Sequence, residues 1–375
     1  MSNARKLADN LPSIGQLGNR NMIINGAMQI AQRATQSTNA SSTGYKTLDR
    51  YYHEMKVNTD QFTYTTEQVS DAPSGFSKSF KLTCTTAETA LASDEYGRIY
   101  QAIEGNTLER IGFGTSDAKE ITLSFYVKSS LTGNFSASFY VNDANVIYSK
   151  AYTINAANTW EYKTLTFPAY TTAGPNIDNT QGAIINFGLF AGSGSNTAST
   201  NWATYSQANL LGGQTASLAG TINATWQITG IQLEVGPQAT PFEHEPISTT
   251  LAKCQRYYAK IEGPIHGYAC WSYSNVTSTH FSLPEKMRTT PSVTFTGTNN
   301  TGTNAAVTDD TFSLYNHNTW LGTSSGNGTQ YGGTSASSTQ SIRINTYPHS
   351  SFTSNGISVG LYFGQNCSIN VDAEL

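Results

Sequence analysis

The sequence predicts an all-β protein: a β-sandwich, then a short helix, then a second, smaller β-domain. Tyr and Phe number 21 and 16 in 375 residues, and with abundant Thr they favour pleated strands over helices. Apolar residues alternate with period two through the middle of the chain, as strands with one buried face require. Clusters of Gly, Asn and Pro separate these runs at intervals suited to a sandwich.

Taken in order, "NMIINGAMQIAQR" (22–33 with Asn21) reads as a first strand with a kink that Gly26 permits, lying near a late strand and closing the sandwich. In "ITLSFYVK" the residues Ile121, Leu123, Phe125 and Val127 share one face, and in "FSASFYV" Phe135, Ala137, Phe139 and Val141 do so. The turn "SSLTGN" between them predicts a hairpin. "YKTLTF" (162–167) and "IINFGLF" (184–190) extend the series. In "WQITGIQLEV" the inward set runs Trp226, Ile228, then Ile231, Leu233, Val235. That change of parity at Thr229-Gly230 predicts a β-bulge, because one extra residue flips the faces.

Pro237, Pro241 and Pro246 mark an extended connector. "ISTTLAKCQRYYAKI" follows, with Ser248 or Thr249 as N-cap and Leu251, Cys254, Tyr257 or Tyr258, and Ile261 at helical spacing. Strands resume at "PSVTFTG", "SIRINTY", "ISVGLYFG" and "CSINVDAEL"; between them, the aromatic centre of "DDTFSLYNHNTWLG" reads as a short strand pair. The expected layout is an arm over 1–18, a sandwich over 19–247, a linking helix over 248–262 and a C-terminal β-domain over 263–375.

Charged residues make up 12% of the chain, half the share of about 25% usual in soluble proteins, so hydroxyls and amides keep the surface wet. A net charge of -4 gives no electrostatic footprint for nucleic acid or an anionic membrane. Arg5 and Lys6 are followed by no continuous apolar run, so no secretory signal is expected. No segment reaches the roughly 18 apolar residues of a membrane span. Cys84, Cys254, Cys270 and Cys367 lack close pairing in sequence, which predicts buried thiols and synthesis in a reducing cytoplasm.

Catalytic signatures are missing: there is no H-E-x-x-H, G-x-S-x-G, P-loop or strand-borne G-x-G-x-x-G. His244 lies between Glu243 and Glu245, but neighbours in an extended chain point to opposite sides. Asp94-Glu95 and Asp309-Asp310 could serve glycoside hydrolysis only if two carboxyls faced each other about 5 to 9 Å apart across a sugar. No enzyme, cofactor or metal is expected. Binding fits the composition better. Tyr126, Tyr140, Trp160, Tyr162 and Trp202 are candidate outward aromatics of the sandwich. As glycan-binding candidates the sequence offers Trp160, Trp202 and Tyr205, with Tyr315, His317 and Trp320 clustered in the C-terminal domain among Asn316 and Asn318. For Trp160 a core position competes with this reading. A helix as short as 248–261 needs something to pack on, so Leu251, Cys254, Tyr257 and Tyr258 are candidate residues of a trimer interface, with packing on the sandwich as the alternative.

"NRNMIINGAMQIAQRATQ", "GYKTLDRYY" and "WQITGIQLEVGPQATPFEHEPISTTLAKCQRYY" together resemble the module shared by many bacteriophage tail-fibre and virion-appendage proteins. "SLPEKMRTTPSVTF" and the ending "VDAEL" resemble the terminal domain of such proteins, and "SNARKLADN" the start of their fibres. The sandwich also resembles the jelly-roll of carbohydrate-binding modules. These resemblances imply a non-enzymatic virion protein, homotrimeric, attached to other virion proteins through its N-terminal arm and binding host-surface glycan. The alternatives are a purely structural part such as a head fibre or tail adaptor, and a glycan-degrading tailspike. In carbohydrate-binding modules a structural calcium often sits near these termini; here Gln29 stands where an acidic residue is common.

Overall fold

The computed structural model describes residues 18–40, 43–58, 62–262, 265–272, 276–296, 313–316, 319–323, 331–336, 338–346, 359–363 and 368–375. Nearly all of the arm expected over 1–18 lies outside them. The chain divides into two compact units, one ending at Thr250 and one over Leu251–Glu374.

The first unit is an antiparallel two-sheet sandwich of jelly-roll type. Its strands are β1 (Gln36–Ala40), β2 (Gly44–Tyr45), β3 (Tyr52–Lys56), β4 (Thr63–Val69), β5 (Ser79–Thr86), β6 (Tyr96–Glu104) and β7 (Ile121–Ser129). They continue with β8 (Gly133–Val141), β9 (Val146–Ile154), β10 (Glu161–Phe167), β11 (Gln181–Ala191), β12 (Ala203–Thr204) and β13 (Thr225–Val235). Sheet A has the order β1-β4-β5-β13-β7-β10, and sheet B the order β12-β9-β8-β11-β6-β3-β2.

Alternation places one face of each strand in a single core. Ile121, Leu123, Phe125 and Val127 of β7 meet Phe135, Ala137, Phe139 and Val141 of β8, Ile185 and Phe187 of β11, and Trp226 and Ile228 of β13. Each such side chain contributes about 1.5–3 kcal/mol by leaving water. The bulge lies where the parity change puts it: Thr229 pairs Tyr126, and the next pair is Gln232 with Ser124. Gly230 there has φ +63°, and a Cβ on it would sit 2.6 Å from the Phe76 ring.

Three expectations are corrected. Strands β7 and β8 are not a hairpin: β7 pairs β10 and β13 in sheet A, while β8 pairs β9 and β11 in sheet B. Both sheets of a sandwich bury one face on the same core, so alternation alone cannot separate pairing within a sheet from crossing between sheets.

The opening stretch is not a strand either. Residues 24–27 form a turn in which Asn25 (φ +60°), not Gly26, takes the left-handed conformation, and Met28 (φ +57°) takes it again. The Asn25 side chain substitutes for a strand partner. Its Oδ1 accepts the N–H groups of Gln29 (2.9 Å) and Ile30 (3.0 Å), and its Nδ2 donates to the Ile30 carbonyl (2.9 Å). The stretch does lie beside the late strand: Met22 N–H donates to Leu233 O (2.9 Å) and Ile231 N–H to Gly26 O (3.0 Å). Glycine is needed at 26 for proximity, since a Cβ would stand 2.1 Å from the Ile231 oxygen.

The helix ends early, covering Ile247–Gln255, and Tyr258–Glu262 is a strand paired with Ser368–Asp372. Tyr257-Tyr258 and Ile261 fit helical spacing, but aromatic and β-branched residues prefer a sheet when a partner strand is at hand.

In the second unit, Tyr258–Glu262, Ser368–Asp372 and Ser292–Thr296 form a three-stranded sheet. A seven-stranded sheet runs Thr319–Thr323, Ser313–Asn316, Val359–Phe363, Ile265–Ser272, Val276–Ser282, Ser341–Thr346, Tyr331–Ala336. The expected strand pair at 313–323 is present, with Tyr315 opposite Trp320.

Candidate functional site

The outer face of sheet B carries the site. In β3 the core-facing residues are His53 and Met55, which leaves Tyr52, Glu54 and Lys56 on the other side; in β6, Ile99 and Ile103 face the core, which leaves Tyr96, Arg98 and Tyr100 outward. The register sets Tyr52 opposite Tyr100, Glu54 opposite Arg98 and Lys56 opposite Tyr96. Cross-strand neighbours of this kind touch. The rings of Tyr52 and Tyr100 stack with centroids 4.8 Å apart and planes 27° apart, and Tyr45 closes on Tyr52 edge-on at 5.0 Å.

A hydrogen-bonded ion pair sits beside this stack. Arg98 Nε and Nη2 both donate to Glu54 Oε2 (3.0 and 2.6 Å), and Arg98 Nη1 donates to Asn186 Oδ1 (2.6 Å) on β11. Tyr96 Oη donates to Glu54 Oε1 (2.5 Å), and Asn186 Nδ2 donates to Ser138 Oγ (3.1 Å) on β8. The guanidinium lies over the Tyr100 ring, 4.8 Å from its centroid, an arrangement that suits both cation–π attraction and planar stacking. At the margin Lys56 pairs with Asp94 (3.1 Å) and donates to Gln207 Oε1 (2.9 Å).

The segment after β12 frames the other side. Tyr205 packs on Tyr140 at 4.7 Å, and Leu210 and Leu211 cluster with Tyr96 and Ile147. Burial pushes up the phenol pKa values of Tyr52, Tyr96, Tyr100 and Tyr140; Glu54 adds to the shift at the first three and Arg98 opposes it. These phenols therefore stay protonated, each able to donate and accept a hydrogen bond. Half-buried aromatic faces beside a few fixed polar groups are what a polyhydroxylated ring requires: apolar area to stack on, and paired donors and acceptors at its edge.

Of the residues singled out in the sequence, Tyr140 and Tyr205 belong to this face and Trp202 does not. Trp202 packs among Phe113 (5.5 Å), Phe139 (6.4 Å), Tyr148 (5.5 Å) and Tyr170 (5.3 Å), and its indole N–H donates to the Pro168 carbonyl (3.0 Å). The polar loop around it hid this packing, because its apolar neighbours come from distant segments. Trp160 is on sheet A's side of the sandwich, with its N–H on Asp71 Oδ1 (3.2 Å) and Lys128 over its ring. Tyr162 and Tyr126 stand on the outer face of sheet A, but Tyr126 is tilted 47° from Tyr162 and 58° from Phe76. They form a packing cluster, not a flat platform.

Tyr315 and Trp320 are register partners; their side chains, and all of His317, lie outside the described residues. Of the interface candidates, Cys254, Tyr257 and Tyr258 are buried within the chain, and the two tyrosines lie beyond the end of the helix. Leu251 is half-buried. Reading the sequence missed Tyr52, Glu54, Tyr96, Arg98, Tyr100 and Asn186. The signal was the alternation Tyr96-x-Arg98-x-Tyr100, two aromatics and a charge on the face opposite an apolar one.

The carboxylates near histidine and the acidic pair at 94–95 serve structure. Glu243 Oε2 accepts Asn21 N–H (2.9 Å), tying the connector to the opening stretch, and Glu95 accepts the N–H groups of Asn58 (2.6 Å) and Ala92 (2.7 Å). Asp309-Asp310 lie outside the described residues. A cation near the termini does not fit the residues present. Gln68 Nε2 donates to the carbonyls of Met28 (2.7 Å) and Gln29 (3.0 Å), and both Asp49 oxygens accept from Gln32. Amide hydrogens occupy the oxygens a metal would use, and among the described residues no three His, Cys, Asp or Glu converge.

No protein-family model matches the sequence, and no curated protein does. Solved structures with similar strand arrangement include the enzymatically active domain of bacteriophage CBA120 tailspike protein 4, at 16% identity and TM-score 0.30 over 58% of this chain and 21% of that one. The CBM22-1 xylan-binding domain of Paenibacillus barcinonensis is similar at 8% identity and TM-score 0.25, over 55% of this chain and all of that one (100%). A family 11 carbohydrate-binding module of Clostridium thermocellum, solved with a mixed-linked tetrasaccharide, is similar at 11% identity and TM-score 0.26, over 55% of this chain and 99% of that one. The fold rests on the strand order and register given above.

Proposed function

We propose that this chain is a non-enzymatic glycan-binding protein of a phage virion, a tail fibre or appendage that attaches the particle to host-surface glycan. The observation that carries the glycan-binding part is the outer face of sheet B, where the stacked Tyr52 and Tyr100 flank a hydrogen-bonded Arg98–Glu54 pair. The virion setting rests on the resemblance of the opening stretch and the connector to tail-fibre modules. In this reading the protein acts as a homotrimer and joins other virion proteins through its N-terminal arm. The test is binding of purified full-length protein to a glycan array and to host cells, repeated with Tyr100→Ala. Glycan binding that falls about tenfold or more in the variant, as loss of a central aromatic contact entails, supports the reading. Absence of glycan and cell binding, with the protein trimeric, would leave a purely structural virion part.

A further inference from the structure

Charge on the sheet B face is compensated inside the protein. Arg98 is opposed by Glu54 at 2.6 Å, with 9% of the arginine side chain exposed against 24% of the glutamate. Lys56 is opposed by Asp94 at 3.1 Å. At the β2 edge the Arg33 guanidinium is spread over the Tyr45 ring, 4.8 Å from its centroid. The other polar groups described at this face are uncharged: the phenols, the Gln207 amide, the Ser138 hydroxyl and the buried Asn186 amide.

Resting on the glycan-binding reading, we propose that this face selects uncharged glycans, and that Glu54 is the residue that excludes anionic ones. The electrostatics are direct. A sulfate or carboxylate brought here loses its hydration, meets a guanidinium already engaged by a carboxylate, and is repelled by that carboxylate, which is the more exposed partner. A neutral sugar pays no such penalty. Its hydroxyls can accept from phenol O–H groups and donate to the outer lone pairs of Glu54, while its C–H face lies on a tyrosine ring. Glu54 also holds Tyr96 and Arg98 in place, so replacing it isosterically separates its charge from its shape.

The experiment compares oligosaccharides of mannose, galactose and N-acetylglucosamine with oligogalacturonate and sulfated dextran, by calorimetry at low and high salt, on full-length wild type and Glu54→Gln. Expected for wild type is binding of at least one neutral probe with affinity that changes less than about twofold between salts, as for an interaction without net charge. Glu54→Gln keeps an acceptor for Arg98 and uncovers its charge, so affinity for the acidic probes should rise about tenfold, the worth of one charge-assisted contact. Near-ultraviolet circular dichroism and the thermal midpoint report whether the variant keeps its fold; if it does not, the wild-type salt series decides alone. Wild type that prefers acidic probes and weakens with salt overturns the selectivity while leaving glycan binding standing. Binding of no probe in either class overturns the glycan-binding reading, and the selectivity with it.

Discussion

His53 shows how one residue couples burial to acid sensitivity. It is fully buried between Tyr64 and Phe80, and neither ring nitrogen has a hydrogen-bond partner among the described residues. Burial, and secondarily the Lys46 charge, lower its pKa to about 3. The folded state then binds fewer protons than the unfolded one, so stability is complete above the unfolded value of about 6.5 and declines as pH falls toward 3. Chemical denaturation at pH 7 and pH 5 should show about 2 kcal/mol of loss from this residue, and His53→Phe should flatten that part of the profile. Equal slopes in both proteins would contradict it. At the same scale, reading the sequence missed Tyr96, Arg98 and Tyr100, because their value lies in cross-strand register. Which of several alternating strands would pair with them, and set Glu54 opposite Arg98, is a long-range fact that no local pattern holds.

Among elements, β7, β8, β10, β11, β13 and the bulge were legible because period-two burial is local, whereas β1–β6, β9 and β12 were not read from the sequence. The crossing from β7 to β8, the turn in the opening stretch and the early end of the helix were not, because distant partners decide them. The opening stretch is held by contacts to a strand two hundred residues later: Asn21 Nδ2 donates to Ile231 O (3.0 Å) and Asn21 Oδ1 accepts Leu233 N–H (3.0 Å). Gly26→Ala should destabilise the first unit by about 1–3 kcal/mol through overpacking against the Ile231 carbonyl, measured as a lower denaturant midpoint with unchanged slope. The connector is strapped down by Glu234, which accepts Thr240 N–H (2.8 Å) and Thr240 Oγ1–H (2.6 Å) while buried. Glu234→Ala should cost about 1–3 kcal/mol by leaving buried donors unpaired, and limited proteolysis should cut first near Pro237–Pro246.

At the scale of the molecule, the described residues of the first unit stand on two antiparallel sheets around a sandwich core. The Gln68 amide already bonds the Met28 and Gln29 carbonyls, so the thermal midpoint should be the same in excess calcium and in chelator; a rise of several degrees with calcium would show that a cation displaces that amide. In the proposed glycan-binding reading, function at this scale depends on which of two aromatic sheet faces meets the glycan. Backbone hydrogen exchange of the full chain, with and without a saturating oligosaccharide that binds, separates them. Binding at the sheet B face predicts new protection in Tyr52–Lys56, Tyr96–Glu104 and the segment around Tyr205, with Ile121–Ser129 and Glu161–Phe167 of sheet A unchanged. Protection confined to those sheet A strands, or to the second unit, would contradict the assignment.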